Sequence, residues 1–238
     1  MPPAPRPVPW RAVAIFYAVA LLVAAPFNLG LASGWLAARV PGTPLALWPF
    51  LPAALGPALG AALARRVRPS APVATTLFGT SRARSLAAAA APVAAFSFLG
   101  ARAALLALVA VVYATGEELG WRGFLADALA PLPAAGRVLL TAALWWLWHL
   151  RFGSPFELLA FPVLVLLASA ALGHAAQTTG SVLVPGAMHA LVTLLSASGA
   201  PSRPMALAGG ATLAAWVLLG TFWPHPRPVR LSSPAEHA

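Results

Sequence analysis

The sequence predicts an all-α, polytopic transmembrane helix bundle of about eight spans. Three observations carry this. Of 238 residues, 60% are hydrophobic and only 8% are charged, whereas soluble domains run near a quarter charged. The apolar residues fall in blocks close to the roughly 20 that a helix needs to cross a bilayer. The charged residues gather between these blocks and in the tails, where they read as topology signals.

Taken in order, residues 1–10 hold five prolines and cannot begin a helix, so they are expected to form a disordered tail. The membrane domain is expected to cover 11–223. A first span follows at about Ala12 to Trp35, too long for the core of a signal peptide. A second is expected at Leu45 to Ala64, where Gly56 and Gly60 have the small-xxx-small spacing that lets helices approach closely. Arg65, Arg66, Arg68, Arg82 and Arg84 then mark a cytoplasmic loop, which also puts the amino terminus in the cytoplasm. Leu86 to Thr115 is too long for one straight span, and Gly100 offers a turn. The helix after it, from about Ala103, should run on through Glu117, Glu118, Arg122 and Asp127 towards Pro131. Later spans are expected at Val138–Leu150, Glu157–Gly173, Ser181–Ser198 and Met205–Phe222. An even count returns the basic tail, 224–238, with Arg227 and Arg230, to the cytoplasm.

The net charge of +10 comes wholly from arginines, and no basic groove with interleaved aromatics accompanies it, which argues against nucleic-acid binding. The lipid bilayer is the expected partner. Cysteine is absent, which removes disulfides, thiolate ligands and a cysteine nucleophile.

Only five acidic residues and five histidines exist in the chain, and most lie between Glu117 and His189. A charge near mid-membrane costs roughly 2.5 to 3.5 kcal/mol, so such residues need a job or a partner. Glu118 and Arg122 stand four apart and are expected to pair within one helix. Glu117, about 100° away on that helix, is left without a partner and is a candidate proton acceptor. Trp145 and His149 share a face on another helix, and His189 and Thr193 share one on a third. Each piece has a plainer reading. The glutamates could be solvated at headgroup level, the tryptophans could form an interfacial belt, and His189 could make an interhelical hydrogen bond. Asp127 reads as a helix-end charge, Glu157 as a first-turn acid favoured by the helix dipole, and His174, Gln177, Thr178 and Thr179 as a loop.

With these residues in place the sequence resembles the CPBP family of intramembrane proteases, which includes the type II CAAX prenyl proteases and Abi-like proteins, over a motif core at 112–195. Glu117, Glu118 and Arg122 match its E-E-x-x-x-R motif. Trp145 to His149 is similar to F-x-x-x-H, with Trp in place of Phe, and His189 to Thr193 matches H-x-x-x-N at the histidine alone. The resemblance implies an intramembrane endopeptidase acting on a peptide or membrane-protein substrate. Glu117 and His149 would activate water, and His189 with residue 193 would hold the oxyanion. Glu118, Arg122 and Trp145 would support them. It leaves open a divalent metal such as zinc on Glu117, His149 and His189, or none. The short chain with arginine as its only basic residue suggests a bacterial cytoplasmic membrane. Two alternatives stand beside this: a weakened relative that binds a peptide or partner protein, and a proton-coupled transporter using Glu117 and His149 as a relay.

Overall fold

In the computed structural model the described residues are 7–30, 51–67, 75–196, 201–221 and 223, and among them the fold is all-α with eight helices. These are α1 (Trp10–Asn28), α2 (Leu51–Val67), α3 (Arg82–Ser97), α4 (Ala101–Glu118, continued to Ala128), α5 (Ala134–Trp148), α6 (Phe156–Thr179), α7 (Leu183–Ser196) and α8 (Arg203–Thr221). Four, namely α1, α4 with its continuation, α6 and α8, are long and apolar enough to cross a membrane, while α5 and α7 are shorter and apolar. Large apolar side chains point outward along them, among them Val112, Leu159, Leu167, Leu207 and Val217. Water would not tolerate so extensive an apolar surface, but hydrocarbon does. The chain is an integral membrane protein on these grounds.

Small residues set the closest packing. A Cβ on Gly56 would lie 2.6 Å from the Ala20 carbonyl oxygen, and one on Gly60 would lie 2.5 Å from that of Phe16. The expected close approach at this pair is therefore realised between α1 and α2. Gly100, with φ of 105°, breaks the long apolar run at the expected place, because such a backbone suits glycine alone.

Two apolar clusters form the interior. One joins α1, α2, α5 and α6 and includes Phe16, Trp121, Phe124, Trp145 and Trp148. The other joins α3, α4, α7 and α8 around Ala107, Ala110, Val111, Ala114, Ala190 and Leu194. Helix α4 enters both: Ala114 belongs to the second and Trp121 to the first. Glu117 and Glu118 fall between them, at the seam where polar groups displace least apolar packing.

Several expected boundaries shift. Trp10, expected in the tail, and Arg11, expected just before the first span, both lie inside α1, which starts directly after Pro9. Arg65 and Arg66 close α2, where cations favour the helix carboxyl end, and Arg82 and Arg84 open α3 after the Ser81 cap. The loop is thus shorter than expected. His174, Gln177, Thr178 and Thr179 are helical, not a loop: α6 runs on to Gly180, whose φ of 64° stops it. The Thr178 and Thr179 hydroxyls bond back to helix carbonyls, which lets these polar residues stay helical. Glu157 does stand in the first turn of α6. Residues 31–50, where the first span was to end and the second to begin, the 1–6 part of the tail and the carboxyl-terminal tail lie outside the described residues.

Candidate active site

The backbone of α4 changes character where the acidic motif ends. From Leu119 to Leu125 it widens into a π-helical stretch, and such stretches loosen the regular bonding of carbonyls. Two carbonyls here find side-chain donors instead. Arg65 on α2 donates Nη2–H to Gly123 O at 2.8 Å, and Thr75 donates its hydroxyl to Arg122 O at 3.0 Å. Gly120 permits the stretch to sit against α2 and α1, since a Cβ there would fall 2.5 Å from Pro57 and 2.9 Å from the Phe16 ring. The motif Glu117-Glu118-Leu119-Gly120-Trp121-Arg122-Gly123 is thereby held as a buried corner rather than a surface helix end.

Both glutamates are buried, at 1% and 0% exposure, and Arg122 is 1% exposed. The reading that placed them in headgroup solvent is therefore wrong. The expected pairing of Glu118 with Arg122 is present: Nη1 lies 2.9 Å from both carboxylate oxygens, aligned for a hydrogen bond only to Oε1. Arg122 also donates Nη2–H to Ser169 Oγ at 3.4 Å on α6, and its guanidinium stacks on the Trp145 ring at 4.4 Å. Ser169 had no signal in the sequence, being one serine in an apolar helix.

His189 reaches across from α7. Its Nδ1 lies 3.0 Å from Glu118 Oε1, so the interhelical hydrogen bond exists and ends on the motif itself. With Nδ1–H given to the carboxylate, Nε2 is the atom of the ring free to meet another group. Glu117 differs from its expected isolation. Its Oε2 accepts the Trp145 indole N–H at 3.0 Å, and Tyr113 stands near it one turn earlier. The helix spacing separates the two carboxylates, but Trp145 and His189 approach from other helices and draw both into one cluster.

His149 closes α5. Trp148 donates its indole N–H to Ala20 O at 3.0 Å, and Asn28 donates to Trp148 O at 2.8 Å, so this helix end is tied to α1. Leu150 then turns the chain at φ 54°, a conformation of nonglycine residues that cluster where geometry is functionally constrained. The His149 ring lies against Trp145, Trp148 and Phe161. Its Nδ1 is 2.7 Å from Trp145 O, and since a carbonyl only accepts, Nδ1 carries the hydrogen and Nε2 the lone pair. Thr193 is half-buried and donates its hydroxyl to His189 O at 3.2 Å on its own helix. Glu157 is engaged elsewhere, with Gly153 N at 2.9 Å and Arg151 at 3.5 Å.

A short segment before α3 fixes α7. Thr76 N donates to Gly180 O at 2.9 Å and Val182 N to Thr76 O at 2.9 Å, while Ser181 Oγ bonds Leu77 O at 2.9 Å. The same segment carries Thr75, bonded to the Arg122 carbonyl. It therefore joins the π-helical stretch to the start of the helix that bears His189.

The sequence from Phe98 to Leu195, less than half of the chain, matches the family model described as type II CAAX prenyl endopeptidase Rce1-like. Residues 98–195 are an Rce1-like type II CAAX prenyl endopeptidase family domain. No curated protein and no solved structure matches the chain. Within the Rce1-like domain lie all of Glu117, Glu118, Arg122, Trp145, His149, His189 and Thr193, and its buried Glu117, Glu118 and His189 are consistent with the catalytic residues of that family. The domain does not assemble the three-ligand metal set considered from the sequence. Among the described residues no three His, Asp or Glu side chains are grouped so as to hold a metal ion.

Proposed function

We propose that the chain is an intramembrane endopeptidase that hydrolyses a peptide or membrane-protein substrate with water activated by Glu117 and His149. The observation that carries this is the buried cluster of Glu117, Glu118 and His189 inside the Rce1-like domain. Buried carboxylates in a membrane bundle are costly, and a structural ion pair would need only Glu118 and Arg122.

In this reading a water lies between Glu117 and Nε2 of His149. Glu117 takes its proton as the oxygen attacks the peptide carbonyl, and the proton then passes to the leaving amine as the C–N bond breaks. His189, protonated on both ring nitrogens, gives Nδ1–H to Glu118 and presents Nε2–H to the oxygen on which negative charge develops. Glu118 and Arg122 act as supports that fix His189 and the Trp145 ring. No step needs a metal. The membrane domain spans 11–223 in eight crossings, with both termini in the cytoplasm, as the arginine distribution favours.

One observation favours a second reading. Thr193 stands where the family has Asn, and its hydroxyl is given to a helix carbonyl, so the oxyanion lacks that donor. A weakened relative that binds peptides would have this feature.

The test is cleavage of a quenched fluorogenic peptide library by detergent-purified protein beside Glu117→Ala and His149→Ala. Cleavage by wild type that both folded variants lose supports the protease. Silence of wild type across the library, or equal cleavage by the variants, overturns it, and measured peptide binding would then favour the second reading.

A further inference from the structure

Trp145 meets four groups of the site: Glu117, Arg122, His189 and His149. Its indole N–H donates to Glu117 Oε2 at 3.0 Å. Its ring face carries the Arg122 guanidinium at 4.4 Å. Its ring stands edge-on to His189 with centroids 5.1 Å apart, and its backbone carbonyl accepts from Nδ1 of His149 at 2.7 Å. It is also 3% exposed, so its rotamer is set by packing. In the motif that this segment resembles the position is Phe, which could fill the space and stack on an arginine but has no N–H.

We propose that Trp145 is a positioning residue for the hydrolysis described above: its indole N–H fixes one oxygen of Glu117 and so aims the other at the water between Glu117 and His149. The inference rests on the protease reading. A carboxylate on a single-bonded side chain can turn about its last torsion, which is broad and roughly two-fold. A donor to one oxygen removes that freedom, and a base misplaced by about 1 Å can cost on the order of 10² in rate. The N–H thus acts on kcat and not on peptide binding, since it is already given to Glu117 in a buried contact. The indole ring fills the site whether or not it donates, so packing alone gives no reason for the nitrogen to face Glu117.

The experiment compares kcat, KM and the thermal midpoint of the full chain in detergent for wild type, Trp145→Phe, and Trp145 replaced by 3-benzothienylalanine. The last keeps the bicyclic shape and the ring face over Arg122 but puts sulfur where the N–H stood. The substrate is a fluorogenic peptide that wild type cuts, and Glu117→Gln is the control for the reading itself. The expected result is a loss in kcat of about tenfold to a hundredfold in both variants, with KM and midpoint unchanged for the benzothienyl protein. A benzothienyl protein with wild-type kcat overturns the proposal while the protease stands. A fall in kcat that comes with an equal fall in midpoint overturns it too, since packing then explains the effect. Cleavage that survives Glu117→Gln, or no cleavage by wild type, removes the protease reading and this proposal with it.

Discussion

Removing the Arg122 guanidinium should be the most damaging single change to the stability of the bundle. The ion pair it makes with Glu118 is almost wholly out of contact with solvent. Breaking a buried pair from one side leaves a buried charge without compensation, at about 3 to 5 kcal/mol. Arg122→Met keeps most of the side-chain volume, so the loss is electrostatic: the bond to Glu118, the weaker bond to Ser169 and the contact with the Trp145 face. For a chain of this size each kcal/mol lowers the midpoint by about 2 to 4 °C, which gives a fall on the order of 6 to 20 °C. A second substitution separates this cause from simple misfolding. In Glu118→Gln with Arg122→Met the charge has gone from both partners, while the Gln carbonyl can still accept from His189, so the double variant should recover at least half of the loss. Thermal unfolding in detergent, followed by tryptophan fluorescence with its reporters at 121, 145 and 148, measures all four members of the cycle. If Arg122→Met unfolds within about 2 °C of wild type, or the double variant is less stable than the single one, the pair is not the buried, compensated unit described here and the reasoning fails.

Three further outcomes are expected. Gly120→Ala should destabilise by about 1 to 3 kcal/mol, because the added carbon meets Pro57 and Phe16 inside contact distance; a thermal midpoint equal to wild type would contradict the packing of the π-helical stretch. Thr193→Asn should raise the cleavage rate, by up to ~10² if the amide reaches the oxyanion, and a rate equal to or below wild type in a folded variant would show that the position does not face the carbonyl oxygen. Cleavage by wild type should be insensitive to prolonged incubation with a strong chelator, because the described His, Asp and Glu side chains do not group as metal ligands; an activity lost to chelation and restored by zinc would refute it.

The helices were legible because their cause is local. Long apolar runs broken by Gly100, by proline clusters and by arginines mark each element, and the Glu118–Arg122 pair follows from a spacing of four within one helix. What escaped was tertiary. Nothing in the sequence says that Trp145 turns its N–H to Glu117, 28 residues away, or that His189 finds Glu118 rather than Glu117, because neither bond has a periodic signature. Ser169 and Thr75 escaped for the same reason: a lone hydroxyl, whether in an apolar helix or in the segment before α3, carries no mark of the partner it meets. The π-helical stretch was hidden too: Gly120 and Gly123 weaken a helix there but do not say what replaces it, and the carbonyls of the wide turn are held by neighbours distant in sequence. His174 to Thr179 were read as a loop from polarity alone, when the left-handed Gly180 was the stop signal.

The segment Thr75–Thr80 gives α7 a mechanical property. Its backbone bonds grip the helix at its amino end, around Ser181 and Val182, and make that end a pivot. His189 lies six residues beyond Leu183, about 9 Å along the axis at 1.5 Å per residue. A tilt of only about 10° about the pivot would carry the imidazole about 1.6 Å sideways, enough to open its 3.0 Å bond to Glu118. The helix is thus a short lever whose fulcrum is outside the site and whose working end is the histidine, so a strain of small angle in the segment before α3 arrives at the carboxylates as a displacement comparable to a bond length.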